Sequence, residues 1–265
     1  MHPKLSIWIA ALALVVSCGA LGFTAWNETK KETTTLRQSL TDILEQIMDI
    51  DREAAEFGAI LSLTEEQKDA ASFSFTNRKF LLLRQAEELY KKLGEKTTPE
   101  DDAVISVAYA AIGELEKAES HMNLYLEKAK TRIGRASGFR SLANFAVVRS
   151  DHSQATKLYD KALQEIGMPK NDMEILSKMT INWFKMHHLI TLNDYESAAI
   201  LLQELGVDVQ HFPCSPPRGQ WLTRIYGIAQ AITPHLEDNI PMLPIGDGKA
   251  KCIYDQLVFS LGRSG

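Results

Sequence analysis

The chain has 265 residues, 24% charged and 45% hydrophobic, with a formal net charge of −5. That length can bury one core or an elongated stack, and the balance offers none of the basic surplus that nucleic-acid binding requires, so nucleic acid is excluded as an expected partner. The three cysteines, Cys18, Cys214 and Cys252, form no C-x-x-C pair and have no histidine at ligand spacing, so neither a metal site nor a cofactor is expected.

A four-residue tail (1–4) precedes an uncharged stretch from Leu5 to Trp26, in which only Ser6, Ser17 and Thr24 are polar. Twenty-two helical residues span roughly 33 Å, about the thickness of a hydrocarbon core, so 5–26 is expected to cross a membrane as an uncleaved signal-anchor. Trp26 stands where an interfacial aromatic belongs, and Asn27, Glu28, Lys30 and Lys31 follow at once. Val15-Val16-Ser17-Cys18 also fits a lipoprotein processing box with Cys18 as the lipidated residue, although the apolar run continues past it through Gly19–Phe23. Lys4 lies before the span and Lys30, Lys31 and Arg37 after it, so charge does not fix the orientation. The short tail favours a single-pass protein whose C-terminal domain is exported.

Residues 29–63 are expected to form one heptad helix. Leu36, Leu40, Ile43, Ile47, Ile50, Ala54, Phe57 and Leu61 alternate strictly by four and three, which defines a coiled-coil seam or a strongly amphipathic helix. The flanking positions carry no ladder of matched charges, and Leu44 and Ile60 widen the stripe. Self-association, a partner helix, and packing on the chain's own domain all satisfy that pattern.

From residue 64 to 206 the signals are those of successive helices joined by short turns, and the fold class is all-α. Thr64 with Gln67 reads as a capping box, and Thr98-Pro99-Glu100-Asp101 combines an N-cap, a proline at the first helical position and first-turn acids. Gly94, Gly113, Gly134, Gly167 and Gly206 are expected at helix ends. Pro99–Arg132 carries Tyr109 in its first helix, a Gly113-Glu114-Leu115 turn, and Ala118 at the helix crossing. Ala136–Pro169 repeats the plan with Phe139, Leu142 and Ala143, then Ala155, Tyr159 and Ala162. Trp183, Leu189, Asn193-Asp194-Tyr195, Ala198 and Leu202 sketch a third unit, with Met186 where a small residue is usual. Asn77–Leu93 is expected as a capping helix or half a repeat.

These residues resemble the tetratricopeptide repeat, a 34-residue helix-turn-helix unit that stacks into a solenoid. The resemblance implies a concave groove lined by the first helix of each unit, which binds a protein partner. Carried onto this chain, the groove residues are Arg140, Asn144, Val147 and Val148, joined by Trp183 and His187. Arg140 and Asn144, one turn apart, resemble the pair with which some members clamp a terminal carboxylate, while Phe184 and Thr180 do not supply the clamp's neighbouring basic and amide positions.

The remainder, 207–265, is expected to be a proline-containing loop (Val207–Gly219), a capping helix (Gln220–Thr233) and an irregular tail, in which Cys214 and Cys252 either bridge or stay as thiols according to the compartment. No catalytic constellation stands out: His187 and His188 point about 100° apart on a helix, and no zinc-protease, phosphate-loop, nucleophile-elbow or dinucleotide motif occurs. The sequence therefore describes a non-catalytic, membrane-anchored helical-repeat adaptor or scaffold, suited to an envelope or secretion assembly. The other readings are a structural membrane subunit that oligomerises through the heptad helix and, further off, an exported enzyme.

Overall fold

The computed structural model describes the backbone of residues 3–58, 64–209 and 216–236. Side chains before residue 30 lie outside the described residues, as do Leu61, Cys214, Cys252 and the tail from 237, so the proposed anchor chemistry, the lipidation at Cys18 and the disulfide fall there too. Among the described residues there are nine α-helices and no strand. They form two compact units, Met1–His121 and Met122–Gly265.

The first unit is built on α1 (Pro3–Gly58) and α2 (Glu65–Leu93), which pack along each other, with α3 (Pro99–Ala111) against both. Among the described residues no helix is long and apolar enough to cross a membrane. The heptad positions Leu40, Ile47 and Ile50 are buried, as is Leu44, while Leu36, Ile43, Ala54 and Phe57 are half-buried. Leu83, Ala86 and Leu93 of α2 and Ile105, Ala108 and Tyr109 of α3 complete this core. The seam therefore serves the chain's own helical hairpin. Ion pairs hold its register: Arg78 reaches Glu53 at 2.7 Å, and Lys79, itself buried, pairs with Asp51.

Helix starts follow the expected chemistry. The Thr64 hydroxyl accepts from the Gln67 N–H while the Gln67 side chain returns a bond to the Thr64 N–H. Thr98 and Asp101 form the same reciprocal cap on α3, with Pro99 in the first turn. Arg37 of α1 then grips that cap from outside, bonding the Asp101 carboxylate and donating to the Thr98 hydroxyl at 3.1 Å. One arginine thus ties the long helix to the start of α3.

The second unit contains the end of α4 (Leu115–Lys128) followed by α5 (Arg132–Val148), α6 (His152–Ile166), α7 (Asp172–Thr191), α8 (Tyr195–Asp208) and α9 (Pro216–Ile232). α5 pairs with α6 and α7 with α8, while α6 and α5 both lie against α7. Small side chains make the close crossings. Ala136, Ala143 and Ala146 of α5 and Ala155 and Ala162 of α6 are buried, as are Ala198 and Ala199 of α8. Gly138 plays the same part on another side of α5: a Cβ there would stand 2.5 Å from Leu126 of α4. Met186 fills the third hairpin's crossing, fully buried.

Three turns share one geometry. Ile112-Gly113-Glu114, Arg149-Ser150-Asp151 and Leu192-Asn193-Asp194 each place their middle residue in the left-handed region, at φ 84°, 60° and 59°. The N–H of the third residue then returns to a carbonyl five positions back: Glu114 to Tyr109, Asp151 to Ala146 and Asp194 to Leu189. Asp151 and Asp194 go on to cap the following helices through Gln154 and Ser197. The turns recur at intervals longer than the 34 residues of a tetratricopeptide unit.

Three expectations are corrected. Gly134 does not end a helix: it lies in the first turn of α5 and donates its N–H to the Thr131 cap at 3.0 Å. A Cβ at that position would stand 2.9 Å from the Thr131 hydroxyl and 3.1 Å from the Tyr125 hydroxyl, so a larger residue would have to displace those side chains. Gly206 is a buried residue inside α8, which runs on to Asp208. Pro216 and Pro217, expected in a loop, open α9, since proline suits a first turn whose N–H groups have no helical partner.

Candidate partner-binding face

α5 and α7 are the first helices of successive hairpins and lie side by side. α5 presents Arg140, Asn144, Val147 and Val148 at helical spacing, so they share one side of it. Arg140, Asn144 and Val147 are half-buried, and Val148 is 68% exposed.

Arg140 reaches across to α7. Its guanidinium carbon lies 5.3 Å from the centre of the Phe184 ring, and its Nη2 donates to Ser137 at 3.4 Å. Its Nε is buried without a hydrogen-bond partner, and burial holds its pKa below the usual arginine range. No carboxylate pairs with it among the described residues. A half-buried cation that rests on an aromatic face and lacks a counter-ion is arranged to receive one.

Asn144 is held by its own hairpin. The Tyr159 hydroxyl of α6 donates to its Oδ1 at 2.6 Å. Burial pushes the Tyr159 pKa up to about 12, so the phenol remains a donor at any physiological pH. With its oxygen so occupied, Asn144 has its amide N–H groups to offer a ligand.

Phe184, rather than Trp183 or His187, makes the ring contact with Arg140. Trp183 packs edge-on against Trp221 of α9, with ring centres 5.7 Å apart, and belongs to the border of the α7–α9 core. His187 lies 4.6 Å from the Trp183 ring, and burial lowers its pKa. Phe184, one residue along and 38% exposed, takes the place beside Arg140. The sequence marks Phe184 only as unsuited to a carboxylate clamp. Its role as a support for the guanidinium depends on the rotation of α7 about its axis, which a single residue step changes by about 100°. His188 turns the other way, buried against His152 and Tyr159 of α6.

No group of three or more His, Cys, Asp or Glu among the described residues could hold a metal ion. No protein-family model matches the chain, and no curated protein matches it. The class is defined by the fold alone. This is an all-α protein of stacked helical hairpins, compatible with a helical-repeat protein.

Proposed function

We propose that the chain is a non-catalytic, membrane-anchored adaptor whose α5/α7 face binds a partner protein, within an envelope or secretion assembly. Residues 5–26 form the anchor, a single signal-anchor span, and the domain after it is exported. The observation that supports this most directly is Arg140, half-buried, seated on Phe184 and without a carboxylate partner among the described residues, with the exposed Val148 on the same helix. Such a face suits a peptide or helix that carries a carboxylate next to an apolar side chain. The apolar contact supplies affinity and the arginine fixes orientation. Burial of Leu40, Ile47 and Ile50 inside the chain supports this reading over oligomerisation through the heptad seam.

The test is affinity capture from native membranes with the intact chain and with a Val148→Asp variant. Val148 is 68% exposed, so the variant is expected to keep the wild-type melting temperature. A partner held by the intact chain and lost from the equally folded variant supports the reading. A partner retained unchanged by the variant removes the α5/α7 face from consideration.

A further inference from the structure

In the first unit, a histidine stands between two carboxylates. His121, near the middle of α4, is 7% exposed, and its two ring nitrogens face opposite ways. Nε2 lies 2.9 Å from an oxygen of Glu87 on α2, and Nδ1 lies 3.3 Å from an oxygen of Asp102 on α3. Asp102 is fully buried and also accepts from the Tyr90 hydroxyl of α2 at 2.6 Å. The Tyr109 ring of α3 stacks on the imidazole at 5.9 Å, and the Tyr90 ring meets it edge-on at 5.1 Å. Other charges nearby are Lys91, 3.7 Å from Glu87, Lys117, whose ammonium lies 5.1 Å from the Tyr109 ring centre, and Arg84 and Glu88, which line the same cleft.

An ionised carboxylate only accepts hydrogen bonds. With both carboxylates ionised, a ring whose two nitrogens face their oxygens must donate from both, and only the imidazolium does so. In the neutral ring one nitrogen would present its lone pair to a carboxylate oxygen, which replaces a charge-assisted bond with a repulsive contact in a site of low polarity. The proton on His121 thus joins α4 to both α2 and α3.

We propose that His121 is a proton-operated latch, which as an imidazolium ties α4 to Glu87 of α2 and Asp102 of α3, and which loosens α4 from both when it loses its proton. The latch forms one wall of a cleft of about 570 Å³ lined also by Arg84, Tyr109, Lys117 and Ser120, so release alters that cleft. The direction of titration agrees. Although burial alone would lower it, the bonds to Asp102 and Glu87 hold the pKa of His121 above its ordinary 6.5, and the same imidazolium holds Glu87 below the usual carboxylate range. A histidine with a raised folded-state pKa contributes stability that is fully present below 6.5 and is lost as pH rises through the folded value. The latch is closed at pH 6.5 and opens as pH rises through the folded-state value.

The experiment uses the full-length chain in detergent micelles with labelled histidine rings, the His121 signals being assigned by their absence from His121→Gln. The expected result is a His121 ring that is predominantly protonated on both nitrogens at pH 6.5 and titrates above that value. Amide exchange in residues 102–121, corrected for its intrinsic pH dependence, should accelerate through that same titration in the wild type. In His121→Gln it should be fast and show no such step. A ring that titrates at or below 6.5 overturns the proposal, and that observation needs no variant to fold. So does an exchange step of equal size in the wild type and His121→Gln.

Discussion

At the scale of single residues, the left-handed turn positions differ in strain, which Ser150 and Asn193 carry and Gly113 does not. Gly113 adopts φ 84° with nothing within 4 Å of the position a Cβ would take, so the only obstacle to a side chain there is conformational. Gly113→Ala should therefore destabilise the first unit by about 1 kcal/mol, the usual cost of a left-handed backbone for an L-residue. Ser150 sits at φ 60° and already bears that cost, so Ser150→Gly should stabilise the second unit by about the same amount. Thermal or denaturant unfolding of the two variants should move in opposite directions. Movement in the same direction would show that the two turns differ in kind. Part of this was legible beforehand: glycine at 113 and asparagine at 193 are recognised turn residues, while Ser150 carries no such signal and its conformation follows from the helices on either side.

At the scale of helices, the heptad stripe on α1 could be read in the sequence and its partner could not. A period of 3.5 specifies an apolar seam but not the surface that covers it. Coverage comes from α2, whose own buried positions Leu83, Ala86 and Leu93 are spread thinly among polar residues and do not announce a matching face. Lys79, buried against Asp51, breaks the apolar pattern further. Because Ile47 is 1% exposed inside the chain, Ile47→Ala should cost about 2–5 kcal/mol of stability through the cavity it leaves. It should leave the oligomeric state of the folded protein unaltered. A change of solution mass without loss of stability would instead assign the seam to an interface between copies. The helix caps, by contrast, were fully legible at Thr64 and Thr98, since each depends on residues three apart. Arg37, which grips the second cap, was not, because it lies more than sixty positions away.

At the scale of the whole molecule, the all-α class and the hairpin plan follow from features a sequence displays directly: short turns, capping residues and small side chains at helix crossings. The site is less legible because it depends on helix rotation. Arg140 and Asn144 share a side of α5 by spacing alone, whereas the choice between Trp183 and Phe184 on α7 is settled by the core that α7 makes with α8 and α9. His121 was invisible for a related reason. Its partners come from two other helices, and no local motif joins Glu87, Asp102 and His121.

The central claim is that the α5/α7 face receives a partner protein, and site-specific photo-crosslinking in native membranes tests it most directly. A photoreactive residue is placed at Val148 on the face and, as a control, at the exposed Lys157 on α6. The account predicts one discrete adduct from position 148 with a different polypeptide, lost when Arg140 is replaced by glutamate, and no such adduct from position 157. Equal adducts from both positions, or an adduct from position 148 that contains only a second copy of this chain, would contradict it.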